Sequence, residues 1–313
     1  MPHLLSARDL DRAAIDAFVL AAMAFDAGER AVRLDGRVVA LAFFEPSLRT
    51  AVGFEVAALR LGAGAVAVGG ARHAASMSKP ESLADTLRVL GAYCDVICIR
   101  HPDVQSPRIV AGVAGVPVVN CGNGVDEHPT QALVDVFAMH RLRGGVDGAR
   151  VAIVGDLRHM RSAHSLLLML ARHRDVVVRC IAPPELRMPP PLVADFRANA
   201  TGRSGIEQVD TLALDDVDIV YVAGFPPGAG ATPVPAAVRA RFALSVDRLA
   251  DLSPHAHVLS PLPRVDEIDP AVDELPCAAY FEQSALGLAM RMAVLEHALS
   301  EAGVSDRPGA RRS

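Results

Sequence analysis

Lysine is almost absent from this sequence. Of its 31 basic residues, 30 are arginine and only Lys79 is a lysine. Where arginine has taken every interchangeable position, a surviving lysine is a candidate functional residue, because its compact, rotatable ammonium does what a planar guanidinium cannot. The alternative is that the bias only reflects a GC-rich genome, which would leave Lys79 without a special role.

Positive net charge and long hydrophobic runs are also missing. The formal net charge is −5 at pH 7, which excludes a globally basic nucleic-acid binder. No apolar run reaches the roughly 18 residues that a membrane span requires, and the segment Met1–Arg12 shows no secretory signal. We therefore expect a cytoplasmic protein with neither a nucleic acid nor a membrane among its partners.

The spacing of a metal site or of a dinucleotide site is not found either. The strand–loop–helix pattern after Arg150 contains one glycine, Gly155, and so lacks the GxGxxG fingerprint. The cysteines form no CxxC pair and no paired metal-ligand spacing. Four of them lie in or beside apolar runs, and we expect these four to pack as small core residues. The sequence predicts no metal and no cofactor. The five cysteines are Cys94, Cys98, Cys121, Cys180 and Cys277.

The length and the pattern of apolar segments predict the fold class. A chain of 313 residues is long for one core and suggests about two domains. Short apolar runs alternate with helical patterns, and this alternation begins a second time at Arg150. Such a pattern predicts parallel sheets covered by helices. We expect an α/β protein with two doubly wound parallel-sheet domains joined by interdomain helices, one of which is Pro129–Leu142.

Local signals predict several boundaries. Ser6 and Asp9 are spaced like a capping box and predict a helix that runs to about Ala27. The segments Pro183–Pro191 and Thr201–Gly205 are rich in proline or glycine and predict linkers.

The stretch Phe43–Arg60 predicts a strand, a tight turn and a helix. Ser47 suits the N-cap position, and apolar residues recur at a helical spacing at Val52, Val56 and Leu59. The first turn of a helix has unpaired N–H groups and the positive end of the helix dipole, which favour an anion. Hydroxyl and guanidinium groups at this turn add donors that fit a phosphate. The alternative is an ordinary capped helix with one solvated arginine.

Three polar clusters follow predicted strands: Ser47–Thr50, Arg100–Pro102 and Cys121–Gln131. The carboxyl ends of parallel strands meet at one edge of a sheet, so we expect the clusters to converge on one ligand. Pro129 suits the first position of a helix, which places His128 at the helix mouth and Gln131 one turn inside. Taken alone, a histidine in this position is more often a cap than a catalytic group.

Two arginines follow the strand that begins the second half. Arg158 and Arg161 flank its end, where either could bind a carboxylate bidentately. The alternative is that both are solvated arginines at a helix entry, which suits Arg158 better than Arg161.

With these motifs in place, the chain resembles the catalytic chains of aspartate transcarbamoylases over nearly its whole length, from Leu5 to Leu299. Six ordered stretches carry the resemblance, which makes it far more specific than one motif. The acceptor signature and the His-Cys-Leu-Pro turn of ornithine transcarbamoylases are absent. The six stretches are FFEPSLRT, SMSKPESLADT, IRHP, NCGNGVDEHPTQALVD, VAIVGDLRHMRSAHSL and SPLPRVDEI.

The resemblance implies transfer of the carbamoyl group of carbamoyl phosphate to an amine of an amino acid. The backbone and side chains of Ser47–Thr50, including Leu48 and Arg49, would bind the phosphate. Thr50, Arg100 and His128 would polarise the carbamoyl carbonyl, and Gln131 would lie near the carbamoyl amide. These groups would act as donors aimed at the place where negative charge develops.

The resemblance also implies the acceptor groups and the assembly. Arg161 would bind the α-carboxylate, and the carbonyls of Pro261 and Leu262 would orient the amine, beside a cis bond between Leu262 and Pro263. Ser76 and Lys79 would reach into the neighbouring subunit's site, which makes a homotrimer the minimal unit; a regulatory chain is a further possible partner. The implied carbamoyl-phosphate domain comprises residues 1–135 and 286–313, and the acceptor domain residues 136–285.

One loop departs from the pattern. The family's Arg-x-Gln, which grips the acceptor's side-chain carboxylate, is replaced here by Gly224 and Pro226. We therefore hypothesise a carbamoyltransferase whose acceptor is a small amino acid without the distal carboxylate, such as 2,3-diaminopropionate. Two alternatives stay open. One is a true aspartate carbamoyltransferase of pyrimidine biosynthesis, in which Arg239 or Arg241 replaces the missing arginine; the other is a catalytically silent structural or regulatory relative.

Overall fold

The computed structural model describes residues 1–69, 81–225 and 233–300. The expectations for Ser76, Lys79 and Pro226 lie outside these residues. The N-terminal part contains a sheet of four parallel strands in the order β2-β1-β3-β4. Its strands are β1 (Val38–Phe43), β2 (Gly64–Val68), β3 (Val96–His101) and β4 (Val118–Asn123). The helices of this part are α1 (Arg12–Asp26), α2 (Leu48–Arg60), α3 (Leu83–Tyr93) and α4 (Ser106–Ala111).

The second sheet has five parallel strands in the order β7-β6-β5-β8-β9. They are β5 (Arg150–Gly155), β6 (Val177–Ile181), β7 (Gly205–Val209), β8 (Ile219–Gly224) and β9 (His257–Leu259). Its helices are α6 (Arg161–Leu170), α7 (Pro190–Asn199), α8 (Ala236–Phe242) and α9 (Val246–Leu249). The central strands β1, β3, β5 and β8 are buried along most of their length, as expected of parallel strands covered on both faces.

Two long helices connect the sheets. Helix α5 (Pro129–Arg143) links β4 to β5, and ten of its 15 residues are buried, so the helix is covered on most of its sides. Helix α10 (Tyr280–Ser300) follows the last strand and returns to pack against α1, α2 and α5. The predicted α/β architecture, with two parallel sheets and interdomain helices, is confirmed.

The predicted start of the first helix was wrong. Ser6 caps a single 3-10 turn, Ala7–Asp9, by accepting a hydrogen bond from the backbone of Arg8. Helix α1 begins at Arg12, and Asp11 caps it by accepting from Ala14 N. Two capping residues lie five positions apart, and the sequence pattern could not separate a short capped turn from the longer helix that follows.

The two predicted linkers contain regular structure. The first contains a 3-10 turn, Pro184–Leu186, and the start of helix α7 at Pro190. A proline can begin a helix because the first helical positions do not need an N–H donor. Gly205 is the first residue of β7, an edge strand that is only half-buried and therefore has no strong apolar signal.

Helix α2 is confirmed, but its buried face differs from the one that the apolar spacing indicates. The buried residues of the helix are Thr50, Phe54, Ala57 and Ala58. Val52 is 45% exposed and Leu59 is 62% exposed. Val56 is half-buried. Leu48, Val52 and Leu59 therefore form an uncovered apolar stripe on α2.

Candidate active site

A cavity of about 750 Å³ lies between the two sheets. Every strand end that borders it is a carboxyl end, as the parallel arrangement requires. The first domain contributes Glu45 to Thr50, Arg100, Pro102, Val104, Gly124, Val125, His128 and Gln131. The second contributes His159 to Ser162 and Pro261 to Pro263. The cavity thus brings together every described residue to which the resemblance assigns a role in the site.

The donor half begins at the mouth of α2. Ser47 occupies the N-cap position with extended backbone (φ −160°), yet its side chain makes no capping hydrogen bond. The hydroxyl therefore remains available to a ligand, which argues against an ordinary cap. Thr50 is buried one turn further on. Arg49 lies between them at the cavity wall, and burial lowers the pKa of its guanidinium.

A carboxylate links the two domains across the cavity. Arg161 Nη1 donates to Glu45 Oε2 over 2.9 Å and to Gly124 O over 2.8 Å. Arg100 Nε lies 3.5 Å from the same Glu45 oxygen, and Arg100 Nη1 donates to Cys121 O over 3.4 Å. An acceptor carboxylate that binds Arg161 therefore has to compete with Glu45. The sequence placed Glu45 before the turn but gave no sign of this role.

Arg100 remains a cation although it is largely buried. Burial lowers its pKa to about 10, the nearby cations Arg161 and Arg49 act in the same direction, and the Glu45 carboxylate opposes them. The guanidinium is therefore protonated at neutral pH and can stabilise a developing negative charge inside the cavity.

His128 is buried at the mouth of α5 and makes no side-chain capping bond. Its backbone N–H donates to Ser165 Oγ over 2.9 Å, and its ring Nδ1 lies 3.2 Å from Thr130 Oγ1. Burial, followed by the charges of Arg100 and Arg161, holds the pKa of the imidazole well below its usual value. The ring is therefore neutral at physiological pH. In the tautomer whose Nδ1 accepts from Thr130 Oγ1, the ring proton is on Nε2, where it can be donated to a ligand.

A second carboxylate supports this helix mouth. Glu127 is buried and accepts from Ser6 Oγ over 2.5 Å and from Ala7 N over 2.6 Å. Ser165, which accepts from the His128 N–H, also donates to Glu127 over 3.3 Å. The N-terminal 3-10 turn is thus tied to the helix that presents His128. Sequence reasoning missed Glu127, although its position beside His128 in a matching stretch was a usable signal.

The acceptor half includes a strained turn after β9. Leu262 has a positive φ of 53°, and its N–H donates to Ser260 Oγ over 3.2 Å. The Leu262–Pro263 peptide is cis, as predicted. This turn presents Pro261 and Leu262 to the cavity opposite the donor half.

The other candidate arginines are bound elsewhere. Arg158 is exposed and donates to Glu185 O over 3.4 Å. Arg239 forms three hydrogen bonds of 2.7 to 3.2 Å with the Asp266 carboxylate. Arg241 lies over the Phe242 ring, 5.6 Å from its centroid. None of these three lines the cavity, so Arg161 is the arginine of the acceptor half within the described residues.

Gly224 ends β8 at the place where the family's loop has an arginine. Its φ is +82°, and a Cβ at this position would lie 2.6 Å from Glu267 Oε1. The next residue, Phe225, is buried and packs near Phe242. The described part of this loop therefore directs no charged side chain into the cavity.

The described residues offer neither a metal site nor a membrane-spanning helix. No group of three or more His, Cys, Asp or Glu side chains is arranged to hold a metal ion. None of the described helices is both long and apolar enough to cross a membrane.

Family models and relatives support the resemblance. Residues 2–141 match the model described as "Aspartate/ornithine carbamoyltransferase, carbamoyl-P binding domain". Residues 147–298 match "Aspartate/ornithine carbamoyltransferase, Asp/Orn binding domain". The aspartate carbamoyltransferase catalytic subunit of Methanocorpusculum labreanum is 41% identical over 303 residues, covering 95% of this chain and 98% of that subunit. The catalytic subunit of Archaeoglobus fulgidus is 37% identical, covering 96% and 99%.

Solved structures agree with these matches. The catalytic subunit of M. Jannaschii aspartate transcarbamoylase superposes with a TM-score of 0.87 at 34% identity and covers 98% of this chain and 100% of that one. The Trypanosoma cruzi aspartate transcarbamoylase in complex with N-(phosphonacetyl)-L-aspartic acid has a TM-score of 0.85 at 35% identity, with 95% coverage of both chains. The chain therefore belongs to the aspartate/ornithine carbamoyltransferase family and is a carbamoyltransferase of the aspartate transcarbamoylase type.

Proposed function

We propose that this enzyme transfers the carbamoyl group of carbamoyl phosphate to the α-amine of aspartate. The main support is that one cavity joins the donor groups of the first domain to Arg161 and the Pro261–Leu262 turn of the second. The names of the relatives favour aspartate over our hypothesis of another acceptor. Residues 1–135 with 286–313, and residues 136–285, remain the proposed limits of the two domains.

The donor half would bind carbamoyl phosphate at both of its ends, the phosphate and the carbonyl group. Ser47, Arg49 and the free N–H groups at the mouth of α2 would hold the phosphate. Thr50, Arg100 and the neutral His128 would donate to the carbonyl oxygen, on which negative charge grows during attack.

The transfer step needs no protein nucleophile. The neutral amine of the acceptor forms a bond to the carbonyl carbon, and the bond between that carbon and the bridging phosphate oxygen breaks. The electron pair leaves with the phosphate, which takes the proton that the amine releases. The carbonyls of Pro261 and Leu262 would accept hydrogen bonds from the amine and so direct its lone pair, while Arg161 would bind the α-carboxylate.

A second candidate acceptor is an amino acid with a single carboxylate. Three observations favour it: Gly224 has no side chain, Phe225 points into the core, and Arg239 is held by Asp266. The side-chain carboxylate of aspartate would then depend on Lys79. A carboxylate that loses one charge-assisted hydrogen bond loses about 1.5–3 kcal/mol, or roughly tenfold to hundredfold in affinity.

A panel of amines distinguishes the two acceptors. The purified enzyme is given carbamoyl phosphate with aspartate, alanine, serine, asparagine or 2,3-diaminopropionate, and release of phosphate is measured. We expect aspartate to have the highest kcat/KM. If a monocarboxylate acceptor exceeds aspartate by tenfold or more, the altered acceptor pocket is correct and the proposal for aspartate is wrong. Arg161→Ala is the control, because both acceptors need it for the α-carboxylate.

Absence of activity with every amine would favour the catalytically silent relative. Calorimetry with carbamoyl phosphate alone then separates the remaining cases. A silent structural partner would bind no donor, whereas an enzyme with an untested acceptor would bind it. Pyrimidine biosynthesis, a cytoplasmic location and a regulatory partner chain stay predictions.

We also propose that the enzyme is a homotrimer with active sites shared between subunits. The uncovered stripe of α2 supports this, because Leu48, Val52 and Leu59 are 77%, 45% and 62% exposed beside the donor site. Val66 on the adjacent edge strand β2 is a further exposed apolar residue. Contiguous exposed apolar surface marks interaction sites, and a subunit placed here would lie next to Arg49.

Leu59→Asp tests this arrangement. A buried charge without a partner is strongly unfavourable at an interface, so we expect the variant to sediment as a monomer and to lose transfer activity. Leu20→Asp is the matched control, since Leu20 is 64% exposed on α1 and should tolerate the same change. A Leu59→Asp variant that stays trimeric, or a monomeric wild type with full activity, would contradict the shared site.

A further inference from the structure

A chain of four hydrogen bonds, two of them buried and two half-buried, runs behind the cavity and joins its two halves. Gln131 Nε2 donates to Asp135 Oδ1 over 2.8 Å, and Gln283 Nε2 donates to the same oxygen over 2.6 Å. Gln283 Oε1 accepts from the Ser260 N–H over 2.8 Å. Ser260 Oγ then accepts from the Leu262 N–H over 3.2 Å. The chain therefore connects a residue of the donor half with the turn of the acceptor half.

The middle of this chain does not touch the cavity. Asp135 on α5 and Gln283 on α10 are both completely buried, and neither is among the lining residues. Burial raises the pKa of Asp135 to about 7, against the hydrogen bonds from the two glutamines and the charge of Arg291. A buried carboxylate of this kind is costly unless its hydrogen bonds are made. Asp135 can therefore affect a ligand in the cavity only through the residues that it binds.

Asp135 also decides which way the two amides face. A glutamine amide has a donor end and an acceptor end, and the torsion that exchanges them is broad. Asp135 Oδ1 faces the NH₂ ends of Gln131 and Gln283 and accepts a hydrogen bond from each of them. The Gln131 carbonyl oxygen is then the end left for the cavity, and the Gln283 carbonyl oxygen is directed at the Ser260 N–H.

We propose that Asp135 and Gln283 are positioning residues for carbamoyl transfer. Through Gln131, Asp135 presents a carbonyl oxygen that accepts from the amino group of the carbamoyl donor. Through Gln283, it holds the Ser260–Leu262 turn at the distance where its carbonyls meet the acceptor amine. This inference rests on the proposed function, because it assigns the two ends of the chain to the two substrates.

Two variants separate these ends. Gln283→Leu removes the anchor of Ser260 but keeps the bond between Gln131 and Asp135. We expect an acceptor KM raised about tenfold, the scale of one lost hydrogen bond, and a carbamoyl phosphate Kd within twofold of wild type. Asp135→Ala removes both bonds, so we expect it to raise the Kd for carbamoyl phosphate and the acceptor KM together. Because both changes break one chain, the double variant should be no worse in acceptor KM than Asp135→Ala.

Hydrogen exchange gives a readout that does not depend on turnover. In both variants the Ser260 N–H should exchange about tenfold faster than in wild type, again the scale of one hydrogen bond. The control is Asp218→Ala. Its carboxylate also accepts two hydrogen bonds, from Arg143 Nε and Arg150 N, at the opposite end of β5. This variant should change neither the Ser260 exchange rate nor the kinetic constants.

The outcomes are distinguishable. Unchanged exchange at Ser260 in both variants would overturn the positioning role, as would a Gln283→Leu variant that weakens donor and acceptor binding equally. If the exchange rates change as expected but wild type transfers no carbamoyl group to any amine, the proposed function fails and the structural coupling stands. Melting temperatures of all variants show whether a kinetic change is only a loss of folded protein.

Discussion

Arg49→Ala is expected to lower kcat/KM for carbamoyl phosphate by roughly hundredfold or more. The guanidinium lies at the mouth of α2 beside Ser47, the N-cap residue whose side chain makes no capping hydrogen bond. Loss of its charge-assisted hydrogen bonds to a phosphate corresponds to about 3 kcal/mol. The helix itself should be preserved, since alanine is a strong helix former.

Steady-state kinetics and calorimetry with carbamoyl phosphate measure this effect. Arg60→Ala is the control, because Arg60 lies in the last turn of the same helix and is exposed. It should leave donor binding within about twofold, as expected of a surface residue outside the site. Turnover that persists unchanged in Arg49→Ala would remove the basis for a phosphate site at this helix mouth.

Arg100→Ala is expected to lower kcat by about 10²- to 10³-fold, the usual loss when a donor to a developing oxyanion is removed. Arg100 lies at the end of β3 inside the cavity and stays protonated, because its pKa, although lowered by burial, is about 10. Its removal also takes one cation away from Glu45, which keeps its hydrogen bond from Arg161. Because a charged donor is lost, the fall in kcat should exceed the fall caused by losing a neutral hydrogen bond.

Rapid-quench measurement of a single turnover isolates this step from product release. Arg108→Ala serves as the control. Arg108 is an exposed arginine of α4, the helix that follows β3, and it does not line the cavity. Arg100→Lys should recover only part of the rate, because an ammonium cannot reproduce the fork of a guanidinium. A single-turnover rate that is unchanged in Arg100→Ala would exclude this arginine from stabilising the reacting carbonyl.

Much of the donor site was predictable because its residues are near one another in sequence. Ser47, Arg49 and Thr50 belong to one turn, and His128 and Gln131 flank the start of one helix. Local capping signals and the rule for the carboxyl ends of parallel strands were enough to bring these clusters together. Local signals failed where one pattern fits two structures. The proline-rich segment Pro183–Pro191 predicted a linker, but prolines also suit the start of a helix, and α7 begins at Pro190.

The contacts that hold the site together could not be predicted in this way. Arg161 and Glu45 lie 116 positions apart, and Gln283 and Asp135 lie 148 positions apart. No periodicity or turn chemistry relates such distant residues. The burial that neutralises His128 and raises the pKa of Asp135 is likewise a property of the packed interior.

The sequence by itself determined the α/β architecture, the helix mouth for an anion and the family, because these follow from periodicity, capping and short ordered motifs. Only the tertiary structure decided which charges face one another across the cavity and which arginines are bound elsewhere. It also showed that the apolar stripe of α2 is uncovered in this chain. The physical reason is that burial and pairing depend on neighbours from other parts of the chain, and a linear pattern does not contain them.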